Sequence, residues 1–169
     1  MKQEPDPSAR AWRSLSAGYA ASLKALEQAL LPLGVTAPQF QALQVLAAGP
    51  QPVTMGRLAE ALALETQSTT GLIDRMERQG WVTRHRDLAD RRAIRVALTD
   101  VGHSVLLDAT AAAQPAFDRL VAGLSPAELA TLARLLGRAY EAAAAAPPPS
   151  SDPPAPTARD ERPARPEVH

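Results

Sequence analysis

The segment from Thr83 to Thr99, TRHRDLADRRAIRVALT, limits the possible folds more than any other stretch of the chain. After a loop that carries Asp90, Arg91 and Arg92 in a row, the residues alternate with a period of two, and those before the loop read as a partner strand. A period of two is that of a strand, so Trp81 to Arg86 and Ala93 to Thr99 are expected to be strands joined through that loop. In the second of them Ile94, Val96 and Leu98 alternate against Ala93, Arg95 and Ala97. Just upstream, LETQSTTGLIDRMERQG changes to a helical period. Leu72, Ile73 and Met76 gather on one side, with Gln67, Gly71, Asp74 and Arg78 opposite and Ser68 and Arg75 flanking them. This helix is expected to begin at Glu65 or Thr66 and to stop at Gly80, a residue suited to the left-handed position past a helix end.

A compact helix with small polar residues near its start fits a major groove, and a hairpin tipped with guanidinium groups reaches a phosphate or a narrow minor groove. That combination is the plan of a winged helix. Gln67, Ser68 and Thr69 stand where short side chains meet base edges and backbone amides meet phosphate. Ser68 and Thr69 fit equally a local role as helix-starting residues. Arg75 and Arg78, farther along, suit phosphate better than bases. In the loop, Asp90 reads as a partner that orients a guanidinium, and Arg91 or Arg92 as the minor-groove finger. Arg84, Arg86 and Arg95 lie lower on the strands and suit phosphate contacts or structural ion pairs.

The remaining chain divides around this unit. Residues 1–9 are polar and expected to be disordered. Residues 10–34 form a first helix, with Trp12, Leu15, Tyr19, Leu23, Leu26 and Leu30 at steps of three and four and Pro32 and Gly34 ending it. The winged unit spans 35–99, with the wing at about 81–99. It opens with a T-x-x-Q capping box at Thr36 and Gln39, and Val53-Thr54 starts a short third helix through a hydrophobic staple onto Leu58. Residues 100–143 carry two more helices. The first is bent by Pro115, and the second opens on the capping box Ser125-Pro126-Ala127-Glu128. Residues 144–169 are proline-rich without apolar periodicity and are expected to be a disordered tail. The fold class is therefore mainly α with a small β-hairpin, a winged helix-turn-helix flanked by N- and C-terminal dimerisation helices. Three amphipathic helices around one small winged unit expose more apolar face than a monomer of this size covers, which argues for a homodimer.

Charge and composition sharpen the reading by exclusion. Lys plus Arg equals Asp plus Glu at 18 each, so whole-chain charge does not advertise a nucleic-acid binder. Locally, Arg75, Arg78, Arg84, Arg86, Arg91, Arg92 and Arg95 outnumber Glu77, Asp87 and Asp90. The absence of cysteine removes disulfides, Cys-ligated zinc and thiol sensing. His85 and His103 have no dense carboxylate set beside them to make a metal site. His103 and Ser104 point to different helix faces and form no catalytic pair. No enzymatic activity, cofactor or metal is expected. The polar start and the lack of any membrane-length apolar run predict a soluble, cytoplasmic protein.

In order, QFQALQVL (39–46), LAEALAL (58–64), GLIDRMERQGWVTR (71–84) and DRRAIRVALTDVG (90–102) resemble the MarR family of bacterial transcriptional regulators, with similarity over about residues 10 to 142. The resemblance implies an intertwined homodimer that holds two winged helices over the half-sites of a palindromic double-stranded DNA operator. It also implies a repressor released by a small organic effector, with aromatic or phenolic anions favoured. It places DNA contacts at Gln67, Ser68 and Thr69 and at the tip Asp90-Arg91-Arg92, while Gly71 stands where some relatives carry a larger contact residue. It further implies an effector cleft beside the dimer helices, where Trp12 and Tyr19 are candidate lining residues, though both fit a dimer core as well. The competing reading is a winged-helix module for protein interaction or DNA architecture without sequence-specific readout, whose binding would depend on salt and not on base sequence.

Overall fold

The computed structural model describes residues 6–86 and 93–145. Asp90, Arg91, Arg92 and the tail from residue 146 lie outside the described residues, as do residues 1–5. The chain runs α1 (Pro7–Leu30), a 3-10 turn (Leu31–Leu33), α2 (Ala37–Ala47), β1 (Val53–Thr54), α3 (Met55–Leu62), α4 (Thr66–Arg78), β2 (Val82–Arg86), β3 (Ile94–Leu98), α5 (Asp100–Val121) and α6 (Pro126–Ala145). It is mainly helical with one small antiparallel sheet, and it divides into two compact units between Gly123 and Leu124.

Local chemistry sets most of the helix ends. Asp6 accepts from the Ser8 amide at 3.2 Å and Pro7 takes the first helical position, so α1 begins ahead of the expected start at residue 10. Those residues carry no apolar periodicity, which is why the spacing of Trp12 and Leu15 did not reveal them. Gly34 turns the chain with φ of 64°, and Thr36 and Gln39 close the capping box that opens α2. Thr54 caps α3 by accepting from the Arg57 amide at 3.3 Å. At the end of α4 the Gly80 amide donates to Glu77 O and the Trp81 amide to Met76 O, with Gly80 at φ of 74°. This is a Schellman ending with glycine where the backbone turns left-handed. Bonds of the same pattern end α3, but there Ala63 adopts φ of 51°, a conformation in which Cβ crowds the backbone.

The sheet has order β1-β3-β2, with both pairings antiparallel. Val96 sits opposite Val53 on one side and Arg84 on the other, and Leu98 faces Val82. Val53-Thr54 was expected only as a helix entry and here forms a third strand. Two residues are too few to show alternation in a sequence. Gln51 extends that edge by accepting from the Leu98 amide at 2.7 Å.

One core joins these elements. Leu26 and Leu30 of α1, Phe40, Leu43 and Leu46 of α2, Leu58 of α3, Leu72, Ile73 and Met76 of α4, Val96 and Leu98 of β3, and Ala109 and Ala113 of α5 are buried together. The small Ala109 and Ala113 let α5 approach α1 closely. The apolar stripe of α1 is only half used, however. Trp12 is 69% and Tyr19 62% exposed, and Leu15 is exposed as well. Helix α5 continues through Pro115 to Val121 as a single helix.

The second unit is described by itself. Ser125 accepts from the Glu128 amide, and the Glu128 carboxylate accepts from the Ser125 amide at 2.8 Å and hydroxyl at 2.7 Å. Those bonds from Ser125 hold the Glu128 carboxyl below its ordinary range. The contribution of this cap to α6 is therefore complete above the ordinary carboxylate range and is lost only as pH falls through the lowered value. Leu132, Leu135, Leu136 and Tyr140 on α6 are all exposed.

Thr99 ties the wing to the rest of the domain. Its amide donates to Trp81 O at 3.0 Å, its hydroxyl donates to Gly80 O at 2.6 Å, and the same oxygen accepts from the Gly102 amide at 3.0 Å. Gly102 lies so near that a Cβ there would fall 2.0 Å from Trp81 O. Gly102→Ala should therefore destabilise the domain by about 2–4 kcal/mol in urea unfolding, since neither backbone can give way cheaply. Ala63→Gly should stabilise it by about 0.5–1 kcal/mol in the same measurement, because the left-handed conformation then costs little.

Candidate nucleic-acid interface

Helix α4 presents two chemically distinct faces. Thr69, Leu72, Ile73 and Met76 are buried, whereas Gln67, Ser68, Arg75 and Arg78 are exposed and Gly71 is half-buried. A Cβ at Gly71 would meet only the Arg75 guanidinium, at 4.0 Å, so the outer face is open there. Its small profile near the start leaves room for a close approach by a flat or grooved partner.

Thr69 departs from its expected place on that surface. It is fully buried, and its hydroxyl donates to Glu65 O at 3.0 Å within the helix. The helical period puts residue 69 in line with Leu72, Ile73 and Met76, so of its two expected roles the local one is the one seen. Gln67 and Ser68 stay on the outer side.

The amino end of α4 is chemically unlike the others. The N-cap side chains of α1, α2, α3, α5 and α6 (Asp6, Thr36, Thr54, Thr99 and Ser125) all accept from helix amides. Glu65, at the corresponding position of α4, makes no side-chain hydrogen bond to it. Unfilled amides at a helix start carry partial positive charge and favour an anion.

The arginines separate into distinct classes. Arg75 and Arg78 are exposed on α4, and the Arg78 Nε donates to Asp74 O at 3.2 Å. Arg86 is exposed at the loop end of β2, opposite Ile94. Arg95 donates to Pro52 O at 3.2 Å and holds the β1 side of the sheet. Arg84 turns back onto α4, where it pairs with Asp74 and Glu77 and donates to Thr70 O at 3.3 Å. Of its two expected roles, phosphate contact or structural ion pair, the structure shows the second. Asp74, read as an outer polar residue, is its partner.

Position as well as chemistry matters to such a helix, and a second polar link anchors its far end. The buried Gln39 amide donates from Nε2 to Gln79 Oε1 at 2.9 Å, joining the start of α2 to the end of α4. Gln39 was legible only as a capping residue, because a contact across forty positions leaves no local periodicity. Between α4 and the sheet lies an open cleft of about 320 Å³, lined by Thr54, Met55, Thr66, Thr70, Arg84 and Ile94 among others. Trp12 and Tyr19 are not part of its wall. Among the described residues there is no group of three or more histidine, aspartate or glutamate side chains placed to hold a metal ion, and no single helix is long and apolar enough to cross a membrane.

Comparison with known proteins agrees with this geometry. Residues 33–93 match the model of the MarR family. The apo crystal structure of MarR from E. coli is 27% identical over 81% of this chain and 98% of that one, with a TM-score of 0.68. A mutant of the same protein in complex with operator DNA aligns at 27% identity over 75% of this chain and 91% of that one, also with a TM-score of 0.68. CouR from Rhodococcus jostii, bound to p-coumaroyl-CoA, shares the fold at a TM-score of 0.70, with 23% identity over 83% of this chain and 96% of that one.

Proposed function

We propose, starting from a chain that carries the winged helix of MarR family transcriptional regulators, that it is a homodimeric repressor which binds a palindromic operator and leaves it on binding a small organic ligand. The observation that carries the reading is the outer face of α4. Gln67 and Ser68 stand exposed beside an amino terminus without a side-chain cap, with Arg75 and Arg78 following. Short polar side chains at the leading end read base edges, and the amides and arginines hold phosphate. The wing-tip residues Asp90, Arg91 and Arg92, and Arg86 at the base of that loop, extend the contact along the backbone and into the minor groove.

Dimerisation is supported by apolar faces on both units. Trp12, Leu15 and Tyr19 on α1 and Leu132, Leu135, Leu136 and Tyr140 on α6 are exposed in the single chain, a patchwork that water does not favour. Closed two-fold symmetry would bury them and set two α4 helices about 34 Å apart, one turn of DNA. With Trp12 and Tyr19 this exposed, a place in the dimer contact or in an effector cleft completed by it are both open to them. Ligand release requires a molecule that binds the DNA-incompetent spacing better than the competent one. By analogy with CouR, of the same fold and bound to p-coumaroyl-CoA, an aromatic acid or phenolic anion is the class to screen. The reaction-free role and a cytoplasmic location follow from the same reading.

Fluorescence anisotropy with the DNA upstream of the protein's own gene, against scrambled DNA of equal length at two salt concentrations, tests the proposal. Preference for the native fragment at both salts is the expected result, and equal, salt-sensitive affinity for the two would favour a non-specific module. Gln67→Ala should cost about 1–3 kcal/mol against the cognate fragment and much less against scrambled DNA if the side chain reads a base. An equal loss on both would reassign it to phosphate.

A further inference from the structure

Arg84 is the one cation among the described residues that bridges two carboxylates of the recognition helix. Its guanidinium lies against Asp74 and, with Nε 3.6 Å from the carboxylate, Glu77. One Nη donates to Thr70 O at 3.3 Å. The side chain is 23% exposed, while those of Asp74 and Glu77 are 48% and 41% exposed. The pair is thus partly withdrawn from water on the arginine side, and its acidic side opens toward solvent. Asp74 and Glu77 stand on the same helix as Gln67, Ser68, Arg75 and Arg78, where uncompensated negative charge would repel a phosphate backbone.

We propose that Arg84 is a positioning residue for DNA binding. It fixes the base of the wing to α4 and masks the two carboxylates of the recognition helix, without itself touching DNA. This rests on the reading of the chain as a DNA-binding regulator. Geometry supports both halves. Arg84 sits in the middle of β2, opposite Val96 in the sheet core, so its backbone is held by the strand while its side chain is held by the helix. A lysine would offer a point charge; the planar fork of arginine reaches a main-chain carbonyl and two carboxylates at once. One Nη carries both the Asp74 contact and the Thr70 bond, and the Nε beside Glu77 is buried, so the guanidinium is turned inward onto α4.

The test separates masking from contact. Arg84→Ala should weaken binding to the cognate fragment by about tenfold or more, since it uncovers two acids at the interface. Adding Asp74→Asn and Glu77→Gln to Arg84→Ala should recover most of that loss, because the charge that Arg84 masked is gone. Failure of the triple variant to recover, with the salt slope reduced by about one as in the alanine variant, would mean that Arg84 binds phosphate directly and would overturn the proposal. Unchanged affinity in Arg84→Ala would overturn it too. If Arg84→Ala does not fold, Arg84→Met keeps the packing of the stem and carries the same comparison.

A DNA-free measurement distinguishes failure of this inference from failure of the functional reading. Urea unfolding of wild type, Arg84→Ala, Asp74→Asn and the double variant should show non-additive midpoint shifts. Additive shifts would remove the clamp even if wild type binds its operator. Non-additive shifts in a protein that ignores operator DNA would keep the clamp and refute the regulator.

Discussion

The short span from Trp81 to Gly102 depends on a single shared atom, the hydroxyl oxygen of Thr99. It donates a proton to the carbonyl of Gly80, just past the end of α4, and accepts one from the amide of Gly102, in the first turn of α5. The Thr99 amide meanwhile donates to Trp81 O, at the start of β2. Four elements therefore meet within hydrogen-bond distance of one residue. A hydroxyl does this because it is donor and acceptor at once; a carboxylate in the same place would accept only and would leave the Gly80 carbonyl without its partner. The close approach also explains Gly102 without appeal to flexibility, since the space a side chain would need is filled by the Trp81 carbonyl.

This junction makes the β2-β3 hairpin an extension of α4. The Schellman ending of α4 aims the chain into β2, and the Thr99 bonds return β3 to the same point before α5 departs. Arg84 adds a second tie farther out, and the Gln39–Gln79 bond fixes the helix to α2. A base-reading helix needs such over-determination, because a displacement of an ångström misaligns bidentate contacts whose value lies in their geometry. Rigidity within the winged unit leaves the spacing between two units as the variable a ligand can act on in the proposed dimer.

Local rules made much of this legible in the residues. The capping boxes at Thr36 and Ser125, the stop at Gly80, the strands around the arginine-rich loop and the buried trio Leu72, Ile73 and Met76 all follow from contacts a few positions apart. What escaped is what is not local. The strand at Val53 is defined by its partner Val96, and the partners of Arg84 stand on another element. Thr69 shows a different limit: its residue type suited both a helix start and a polar surface, and only its phase relative to Leu72 and Met76 decides that it is buried. Among the candidate contact residues, Gln67, Ser68, Arg75, Arg78 and Arg86 are exposed, and Arg84 is engaged inward.

Near-zero net charge is compatible with DNA binding once the acids are located. Of the carboxylates on α4, Asp74 and Glu77 both face a guanidinium from β2, so the helix presents Arg75 and Arg78 without equal opposition. Over distances longer than a Debye length, about 8 Å at physiological salt, charges elsewhere on the chain contribute little to what a phosphate experiences at this face. A neutral protein with a locally positive helix gains less long-range attraction to arbitrary DNA than a uniformly basic one. Its affinity must then come more from contacts that depend on fit, and discrimination between sequences depends on that balance. In the proposed regulator, the internal ion pair at Arg84 would engage a cation inward and cover the two acids that would otherwise oppose a close approach of phosphate to α4.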